Sequence, residues 1–242
     1  MDKEILDEKE QFLLYFCKFY QDYGRGMIEA DGIGSVKFFL IGLCNRAIAL
    51  NMGFMDLTTS KYENYLAALP ILRLMLDNAM AGYAFFLAGD SLEDRLKYLS
   101  FIKKGNDYNR YKVNKHKQLN EKTIINAMNH EIQGIRSLYK RGCSYIHYSN
   151  NLMNASAFMK REVDGRAQMF AHVNDVSGFF TEEERIGFWD DLIGANIYMM
   201  QVIVKWDDYI KETILPALLR LVEENRDKME RLMREKGIDI PT

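Results

Sequence analysis

The sequence predicts an all-α fold, a bundle of six or seven helices that carries one small β-hairpin. Only three prolines interrupt the 242 residues, and 14 methionines add to a high content of helix-forming residues, which favours long helices. The exception is Asp164-Gly165, which separates two short alternating runs and is typical of a tight hairpin turn. We therefore expect a single helical domain over residues 1–242.

The first four helices are predicted from three- and four-residue hydrophobic spacing and from their end signals. Glycine commonly ends helices, proline removes a backbone donor, and serine or aspartate caps an N-terminus. In order, we predict a helix over 3–23 ended by Gly24-Arg-Gly26, a helix from Ser35 to about Met52, a helix from Thr58 or Thr59 to about Leu87 with a kink or break at Pro70, and a helix from the cap Asp90-Ser-Leu-Glu93 to about Lys104.

The second half is predicted in the same way. Residues 103–118 are polar and basic and indicate a loop or a frayed helix end, and Glu182–Glu184 after Thr181 form a capping box. The predicted elements are a fifth helix from the cap Asn120 through Arg141 and His147, a hairpin over about 157–173 packed on the helices, a helix from Thr181 to about Thr213, and a last helix from Pro216 to Gly237 that projects or packs weakly on a partner.

Composition excludes several classes of protein. A formal net charge of −2 does not suggest a general nucleic-acid coat, although a local basic patch is compatible with it. The three cysteines, Cys17, Cys44 and Cys143, form no CxxC pair and are expected to be reduced, mostly buried thiols. We find no HExxH, no phosphate-binding glycine loop and no Gly-x-Ser-x-Gly, so we expect no metal and no cofactor.

A cytoplasmic location is expected, with no membrane association. The N-terminus MDKEILDEKE is acidic rather than basic and then apolar, which does not fit a signal peptide. The most apolar run, VKFFLIGLCNRAIALNMGF, contains Lys37, Asn45 and Arg46 and fits a buried helix better than a membrane span.

Arg141 and His147 form the most informative pair in the chain. Enzymes that cleave RNA without metal need a group that moves protons at the ribose 2′-hydroxyl or the leaving oxygen, which histidine supplies. They also need a cation to balance charge on the phosphorane, which arginine supplies through its planar fork of donors. Six positions turn a regular helix by about 600°, so the two side chains converge only if Gly142 bends that turn. Alternatively, Arg141 is solvated and His147 donates a hydrogen bond in the core.

Arg141-Gly-Cys-Ser-Tyr-Ile-His147 resembles the Arg-x(4–6)-His motif of the HEPN superfamily, helical proteins common in bacterial toxin–antitoxin and phage-defence systems. LPILRLMLDNAMAGY resembles an upstream helix of one HEPN-like branch, in which an arginine precedes an acidic residue by four positions, here Arg73 and Asp77. The resemblance covers about residues 60–210. Gly142 departs from the family, which usually has a polar residue after the arginine.

The resemblance implies a homodimer whose Arg–His pairs face a shared cleft. It implies metal-independent cleavage of RNA that leaves a 2′,3′-cyclic phosphate, in a phage-defence or toxin–antitoxin context. Arg141 would stabilise the phosphorane and His147 would act as general acid and base. Partners implied are RNA and a cognate antitoxin or another defence-system protein. HEPN-like folds also include inactive members, so a non-catalytic helical module that binds a protein or a small ligand is the rival prediction.

Further residues are candidates for supporting roles, each with a structural alternative. Arg73 and Asp77, at i and i+4, either form a structural ion pair or line the site. Ser144 and Tyr148 share the helical face of His147 and could orient it, or they could simply cover a helix end. The basic segment, with interleaved tyrosines that can stack on bases, could contact RNA or be a solvated loop; its cations are Lys103, Lys104, Arg110, Lys112, Lys115 and Lys117. Asp190-Asp191 and Asp207-Asp208 are expected to be exposed-face charges.

Overall fold

The computed structural model describes residues 3–29, 34–60, 63–115, 117–146, 158–163, 166–171, 180–220 and 223. Within these ranges the chain forms seven α-helices, which confirms the predicted all-α class. The helices are α1 (Lys3–Glu29), α2 (Gly34–Thr59), α3 (Tyr65–Leu87), α4 (Leu92–Lys103), α5 (Glu121–Glu131), α6 (Ile135–Ile146) and α7 (Glu182–Tyr209). A 3-10 turn (Tyr108–Arg110) follows α4, and a π-helical turn (Ile210–Ile214) follows α7.

Three helix starts are confirmed at their predicted caps. The side chain of Ser91 accepts a hydrogen bond from the Asp94 amide at the start of α4, and that of Asn120 accepts one from the Thr123 amide at the start of α5. Thr181 and Glu184 make both bonds of the capping box at the start of α7. Each cap satisfies backbone donors that have no partner inside the helix.

The predicted end of α1 and the predicted boundary between α2 and α3 are wrong. Helix α1 runs through both glycines to Glu29, because Tyr23 and Met27 pack on the core and outweigh the glycine cost of about 1 kcal/mol. Helix α2 continues beyond Met52 to Thr59, and the Thr58 hydroxyl donates back to the Phe54 carbonyl at 2.8 Å instead of capping α3.

Helix α3 begins later than predicted and is not broken by proline. It starts at Tyr65, where the Asn64 side chain accepts a hydrogen bond from the Ala67 amide at 3.0 Å. Pro70 lies inside the helix. It removes only one hydrogen bond near the N-terminal end, to the carbonyl of Leu66. Most of the helix beyond it is buried, and this packing maintains the helix.

The predicted fifth helix is divided into two. Helix α5 ends at Glu131, and α6 begins at Ile135 after a turn in which Gly134 has a φ of 90°. A side chain is strained at that angle, so glycine fits the turn. The break allows α6 to leave α5 in a new direction and to pack against α3 and α7.

The predicted new helix at Pro216 is also wrong. A π-helical turn over Ile210–Ile214 joins α7 to further helical residues that reach 220. In a regular helix the ring of Pro216 would clash with the carbonyl of Glu212, and the wider π turn directly before the proline avoids this clash. The predicted end of the last helix at Gly237 lies outside the described residues.

Helix α3 is the centre of the bundle and contacts α2, α4, α5, α6 and α7. At the crossing with α7, the indole nitrogen of Trp206 donates to the Gly82 carbonyl at 3.0 Å. A Cβ atom at Gly82 would lie only 2.8 Å from a methyl carbon of Val202. The missing side chain therefore allows the close approach of α3 and α7.

A second buried polar contact, centred on a pair of amides, joins three helices. Asn51 of α2 and Asn196 of α7 each donate to the side-chain oxygen of the other at 2.8 Å. The hydroxyl of Tyr20 in α1 donates to the backbone carbonyl of Asn196 at 3.1 Å. Buried polar groups that are hydrogen-bonded to each other across helices specify how those helices align.

Helix α2 is long and apolar enough to cross a membrane when length and composition alone are considered. Its most apolar stretch has a mean hydropathy of 1.5, and 39% of that stretch is buried in the bundle. Core helices of soluble proteins meet the same criterion, so the cytoplasmic location stays a prediction.

Two strands lie where the hairpin is predicted. Strand β1 (Phe158–Val163) pairs antiparallel with β2 (Arg166–Ala171), with Val163 opposite Arg166. The turn residues Asp164 and Gly165, on which that prediction depends, lie outside the described residues.

Candidate functional site

Helix α6 carries the Arg141 motif and is fixed by its buried face. Ile135, Leu138 and Gly142 are buried, and they lie on one side of the helix at three- and four-residue spacing. A Cβ atom at Gly142 would lie 3.4 Å from the Cα of Arg73. Gly142, which departs from the HEPN pattern, is therefore the point at which α6 packs directly against the backbone of α3.

Arg141 lies next to Gly142 but faces α7. Its Nε atom donates to Asp191 Oδ2 at 2.9 Å and its NH2 nitrogen donates to Asp191 Oδ1 at 2.5 Å, a bidentate pair. Its NH1 nitrogen donates to the hydroxyl of Ser137 at 3.3 Å. The Arg141 side chain is 50% exposed and that of Asp191 is 15% exposed. The guanidinium is thus oriented by two neighbours while half of the side chain remains accessible.

The prediction that Asp191 is an exposed-face charge is wrong, because α6 covers it. Asp190 does face solvent, where it pairs with Lys9 of α1. The hydrogen bonds from Arg141 to Asp191 raise the pKa of Arg141, more than its partial burial lowers it. Arg141 therefore stays fully charged at any physiological pH.

His147 and Tyr148 lie outside the described residues, because the described part of α6 ends at Ile146. Ser144, their predicted neighbour, is half-buried, and its hydroxyl donates to the Arg141 carbonyl at 2.7 Å. The convergence of Arg141 and His147 thus stays a prediction. The structure does establish where the arginine of the pair is and what holds it.

Arg73 and Asp77 form the predicted ion pair on α3. The Arg73 side chain is 7% exposed and that of Asp77 is 21% exposed. An NH2 nitrogen of Arg73 also lies 3.2 Å from Glu121 Oε2 in α5 and donates to the Tyr139 hydroxyl in α6 at 2.8 Å. The guanidinium lies 4.3 Å from the centre of the Tyr139 ring, a cation–π distance.

Two tyrosine hydroxyls complete this network. Tyr108 donates to Asp77 Oδ1 at 2.8 Å, and Tyr139 donates to Glu121. Burial and the nearby carboxylates raise the pKa of both phenols, so both remain neutral donors. For Arg73, burial alone would lower the pKa, but the hydrogen bond to Asp77 and nearby negative charge raise it. We call these five residues, Arg73, Asp77, Tyr108, Glu121 and Tyr139, the Arg73 network.

The Arg73 network and Arg141 occupy different sides of α6. Arg73 contacts α6 at Tyr139 and Gly142, whereas Arg141 binds Asp191 on α7. The hydrogen bonds that the structure describes do not join Arg73 or Asp77 to Arg141. Their contribution to an Arg141 site is therefore indirect, through the position of α6.

The basic segment is ordered by its tyrosines. Tyr108 is bonded to Asp77, and the Tyr111 hydroxyl donates to the Asp94 carbonyl at 3.3 Å while its ring packs edge-on against Tyr98 and Phe101. Both rings are used in internal packing, which leaves less of their surface for the base stacking that one of the two interpretations of this segment requires. The cations remain on the surface: Lys103, Lys104 and Arg110 are exposed, as are Lys112, Lys115 and Lys117.

A cavity of about 680 Å³ opens between α2, α3, α4 and the segment after α4. Leu43, Leu99 and Ile102 contribute apolar walls, and Asn78 contributes a buried amide. Tyr108 also lines it, which places the cavity next to the Arg73 network. Sequence patterns did not indicate this cavity, because its walls depend on how three consecutive helices pack against each other.

Sequence reasoning also missed Glu121, Tyr139 and Asp191. Glu121 directly follows the Asn120 cap, where an acidic residue is expected for helix-end reasons alone. Only long-range folding brings it to Arg73. Among the residues that the structure describes, no group of three or more His, Cys, Asp or Glu side chains is arranged to hold a metal ion.

Comparison with known proteins adds no identification. No family model, curated protein or solved structure matches the chain.

Proposed function

We propose that this chain is a HEPN-like protein that cleaves RNA without metal, with Arg141 and His147 as its catalytic pair. The observation that carries the proposal is the state of Arg141, which is half-exposed, fully charged and oriented by a bidentate carboxylate at the last turns of α6. An arginine fixed in this way is suited to bind a phosphoryl group without first losing side-chain freedom.

In the proposed reaction, His147 takes the proton from the ribose 2′-hydroxyl, and the resulting oxygen attacks the adjacent phosphorus. The bond to the 5′-oxygen breaks, His147 returns the proton to that oxygen as general acid, and the product keeps a 2′,3′-cyclic phosphate. Arg141 donates hydrogen bonds to the phosphorane oxygens as negative charge builds on them. Asp191 competes for the same donors, so we expect it to position Arg141 and also to limit how strongly Arg141 binds phosphate.

The remaining predicted residues support this site from outside it. The Arg73 network, with Arg73 and Asp77 at its centre, fixes α6 through Tyr139, and Gly142 seats the helix on α3. The Ser144 hydroxyl donates a hydrogen bond to the Arg141 carbonyl. Tyr148 is predicted to share a helix face with His147. The exposed cations, Lys103, Lys104, Arg110, Lys112 and Lys115, are proposed to bind RNA phosphates. A homodimer, and an antitoxin or defence-system partner, belong to the same proposal.

Cleavage of a labelled single-stranded RNA and of total tRNA in the presence of EDTA tests the proposal. We expect His147→Ala and Arg141→Ala each to reduce the rate by roughly a hundredfold or more. Lys140→Ala is the matched control, because Lys140 is the exposed cation next to Arg141 and has no proposed role. The proposal fails if His147→Ala cleaves at the wild-type rate, or if all three variants lose activity equally.

Asp191→Asn separates positioning from simple ion pairing. If Asp191 positions a catalytic Arg141, the variant should lower kcat more than it changes KM, and combining it with Arg141→Ala should give little further loss. If the pair is only structural, both single variants should lose similar stability while the cleavage rate per folded molecule stays constant.

The second candidate is a non-catalytic helical module that binds a small ligand. The cavity beside the Arg73 network favours it, because sites for small molecules are concave, mostly apolar and carry a few polar groups. Absence of cleavage in the wild-type protein, together with saturable ligand binding at the cavity, would select this candidate.

A further inference from the structure

The cavity between α2, α3 and α4 has the size of a small-molecule site. Its volume of about 680 Å³ lies within the range of roughly 300–1,000 Å³ that is usual for such sites. One face of α2, from Ser35 to Arg46, lines it, a length of about 16 Å along the helix axis. The cavity is therefore elongated along α2, so its two ends can differ in chemistry.

The inner wall of the cavity, formed by its buried and half-buried residues, offers mainly hydrocarbon to a ligand. Leu43 and Leu99 are among these residues. The Tyr108 hydroxyl already donates to a carboxylate of the Arg73 network. The amide nitrogen of Asn78 donates to the Leu43 carbonyl at 2.8 Å, and its amide oxygen has almost no accessible surface, so it does not face the cavity. A polar ligand group placed against this wall would lose its hydrogen bonds to water, whereas a hydrocarbon chain would lose none.

One end of the cavity is marked by aromatic packing. The ring of Tyr98 in α4 packs edge-on against Phe39 of α2, with 6.3 Å between the ring centres. The Tyr98 hydroxyl donates to the Ala81 carbonyl of α3 at 2.8 Å. Phe39 and Ala81 both line the cavity. The three helices therefore meet at this level through apolar residues, and we call it the aromatic end.

On α2, a cation lies toward the opposite end. The Leu43 carbonyl accepts the hydrogen bond from Asn78, which lies three residues before Ala81 on α3. Arg46 follows Leu43 by three residues and is therefore about 10 Å from Phe39 along the helix axis. Arg46 lines the cavity and is exposed. It thus places a positive charge away from the aromatic end.

Helix α4 brings a second cation toward the same end. Lys103 is the last residue of α4, five residues beyond Tyr98, and the chain then continues to Tyr108. The Tyr108 hydroxyl donates to Asp77, which directly precedes Asn78 in the chain. The chain from Tyr98 to Tyr108 therefore runs from the aromatic end toward the level of Asn78, and Lys103 lies between them. Lys103 lines the cavity and is exposed.

The positive charge at this end is not balanced locally. The part of the chain that the structure describes forms no ion pair with Arg46 or Lys103. Asp107, which also lines the cavity, is paired with Arg110, with 3.1 Å between Oδ2 and Nε. The two cations therefore attract a negatively charged group.

We propose that this cavity binds an aliphatic carboxylate, a molecule with a hydrocarbon chain and one negatively charged head group. The chain would lie along the inner wall toward the aromatic end, and the carboxylate would lie near Arg46 and Lys103. A nucleotide has the charge, but its base carries polar groups that the wall does not pair. A fatty alcohol has the chain but leaves the cations unused. This binding does not depend on cleavage at Arg141.

Titration calorimetry of the full chain with decanoate, octanoate, decanol and AMP tests the ligand class. We expect decanoate to bind as one molecule per chain and more tightly than AMP. Octanoate should bind about tenfold more weakly than decanoate, because it buries two fewer CH₂ groups, and decanol about fivefold more weakly, because it has no charge. The proposal is overturned if decanoate does not bind at millimolar concentration, if decanol binds as tightly as decanoate, or if AMP binds more tightly than decanoate.

The surface of an anionic membrane offers the same combination of hydrocarbon and charge. Sedimentation of the protein with phosphatidylglycerol vesicles separates this source from a free carboxylate. We expect the protein to stay in the supernatant. Sedimentation with the vesicles, together with no calorimetric binding of decanoate, overturns the proposal and assigns the surface to lipid head groups.

Matched variants test the location. Gly42 lines the cavity, and Gly42→Leu adds a side chain there, while Gly26→Leu adds the same side chain on α1. Neither new Cβ atom has a neighbour within 4 Å, so both variants should fold. We expect Gly42→Leu to abolish decanoate binding and Gly26→Leu to retain it; binding that survives Gly42→Leu overturns the proposal. Arg46→Gln and Lys103→Gln should each weaken decanoate binding roughly two- to fivefold without changing decanol binding, and the exposed Lys122→Gln should change neither.

A last pair of variants separates this site from the proposed nuclease site. Arg141→Ala and His147→Ala should bind decanoate as the wild type does. If Arg141→Ala loses decanoate binding while Gly42→Leu retains it, the carboxylate occupies the catalytic site and the cavity proposal is overturned. The cavity proposal stands, even if RNA cleavage is never detected, when decanoate binding depends on Gly42, Arg46 and Lys103.

Discussion

Replacing Arg73 with methionine should destabilise the protein far more than removing an exposed cation. Methionine keeps the packing of the side-chain stem but leaves Asp77 and Glu121 without their shared cation. Breaking a fully buried pair by removing one partner costs about 3–5 kcal/mol. Here Asp77 and Glu121 keep 21% and 42% exposure, so solvent offsets part of that cost. The lost cation–π contact with Tyr139 adds about 0.5–1 kcal/mol.

Together these terms predict a loss of about 3 kcal/mol in the free energy of unfolding. For a chain of this length, that corresponds to a fall in Tm of roughly 6–12 °C. Urea denaturation at pH 7, followed by far-ultraviolet circular dichroism, measures the loss. Lys18→Met is the matched control, because Lys18 and Asp22 are also an i,i+4 pair but are 73% and 53% exposed, and its loss should stay below about 0.5 kcal/mol.

The double variant Arg73→Met, Asp77→Asn tests whether the loss arises from an uncompensated charge. Asparagine still accepts the hydrogen bond from Tyr108 but carries no charge, so the double variant should be at least as stable as Arg73→Met. The coupling free energy should exceed about 1 kcal/mol. If Arg73→Met costs no more than Lys18→Met, or if the two substitutions are additive, the account of the Arg73 network is wrong.

Three further predictions follow from the packing and the charges. Gly82→Ala should lower the free energy of unfolding by about 1–2 kcal/mol, because its Cβ atom would lie 2.8 Å from Val202. Gly187→Ala in α7 is the control: its Cβ atom would have no neighbour within 4 Å, so this variant should raise the free energy of unfolding by up to about 1 kcal/mol. Equal effects of the two variants in urea unfolding would contradict this prediction. Burial raises the pKa of Glu131, but the hydrogen bonds from Lys205 and Tyr83 outweigh it and lower that pKa below its ordinary value. The ionised Glu131 carboxylate therefore stabilises the fold at neutral pH, and this contribution is lost as the pH falls through the lowered pKa. The difference in urea midpoint between wild type and Glu131→Gln should be present at pH 7 and vanish near about pH 3. A difference that persists in acid would refute this assignment. Burial raises the pKa of Cys44 to about 12 and also raises that of Cys17, while Cys143 is only half-buried. A disulfide reagent should therefore label Cys143 at least roughly tenfold faster than the other two thiols. Cys143→Ser should remove this fast phase of labelling.

Much of the fold was predictable where the signals are local. The caps at Ser91, Asn120 and Thr181 each act within four residues, so the sequence shows them directly. Helix ends were less predictable, because Gly24 and Gly26 end a helix only when tertiary packing does not favour its continuation. Gly134 shows the opposite case, since its positive φ ends α5, although nothing local distinguishes it from the glycines inside helices.

The candidate site also contains some contacts that the sequence predicts and others that it does not. The pair of Arg73 and Asp77 was predictable, because an i,i+4 spacing brings two side chains together on any helix. The partner of Arg141 is 50 residues away in sequence, and Tyr139 is 66 residues from Arg73. These contacts depend on how α6 packs against α3 and α7. Gly142 illustrates the difference, because its role as a close-packing residue is visible only once α3 is beside it.

The chemistry of the RNA ends produced in EDTA tests the central claim most directly. Mass spectrometry of a defined oligoribonucleotide after incubation with the wild-type protein should show 2′,3′-cyclic phosphate and 5′-hydroxyl ends. The same ends should be missing after incubation with His147→Ala, while Lys140→Ala should produce them as the wild type does. Products with 3′-hydroxyl ends, cleavage that EDTA abolishes, or cyclic phosphates that persist with His147→Ala would contradict the assignment of Arg141 and His147 as a catalytic pair.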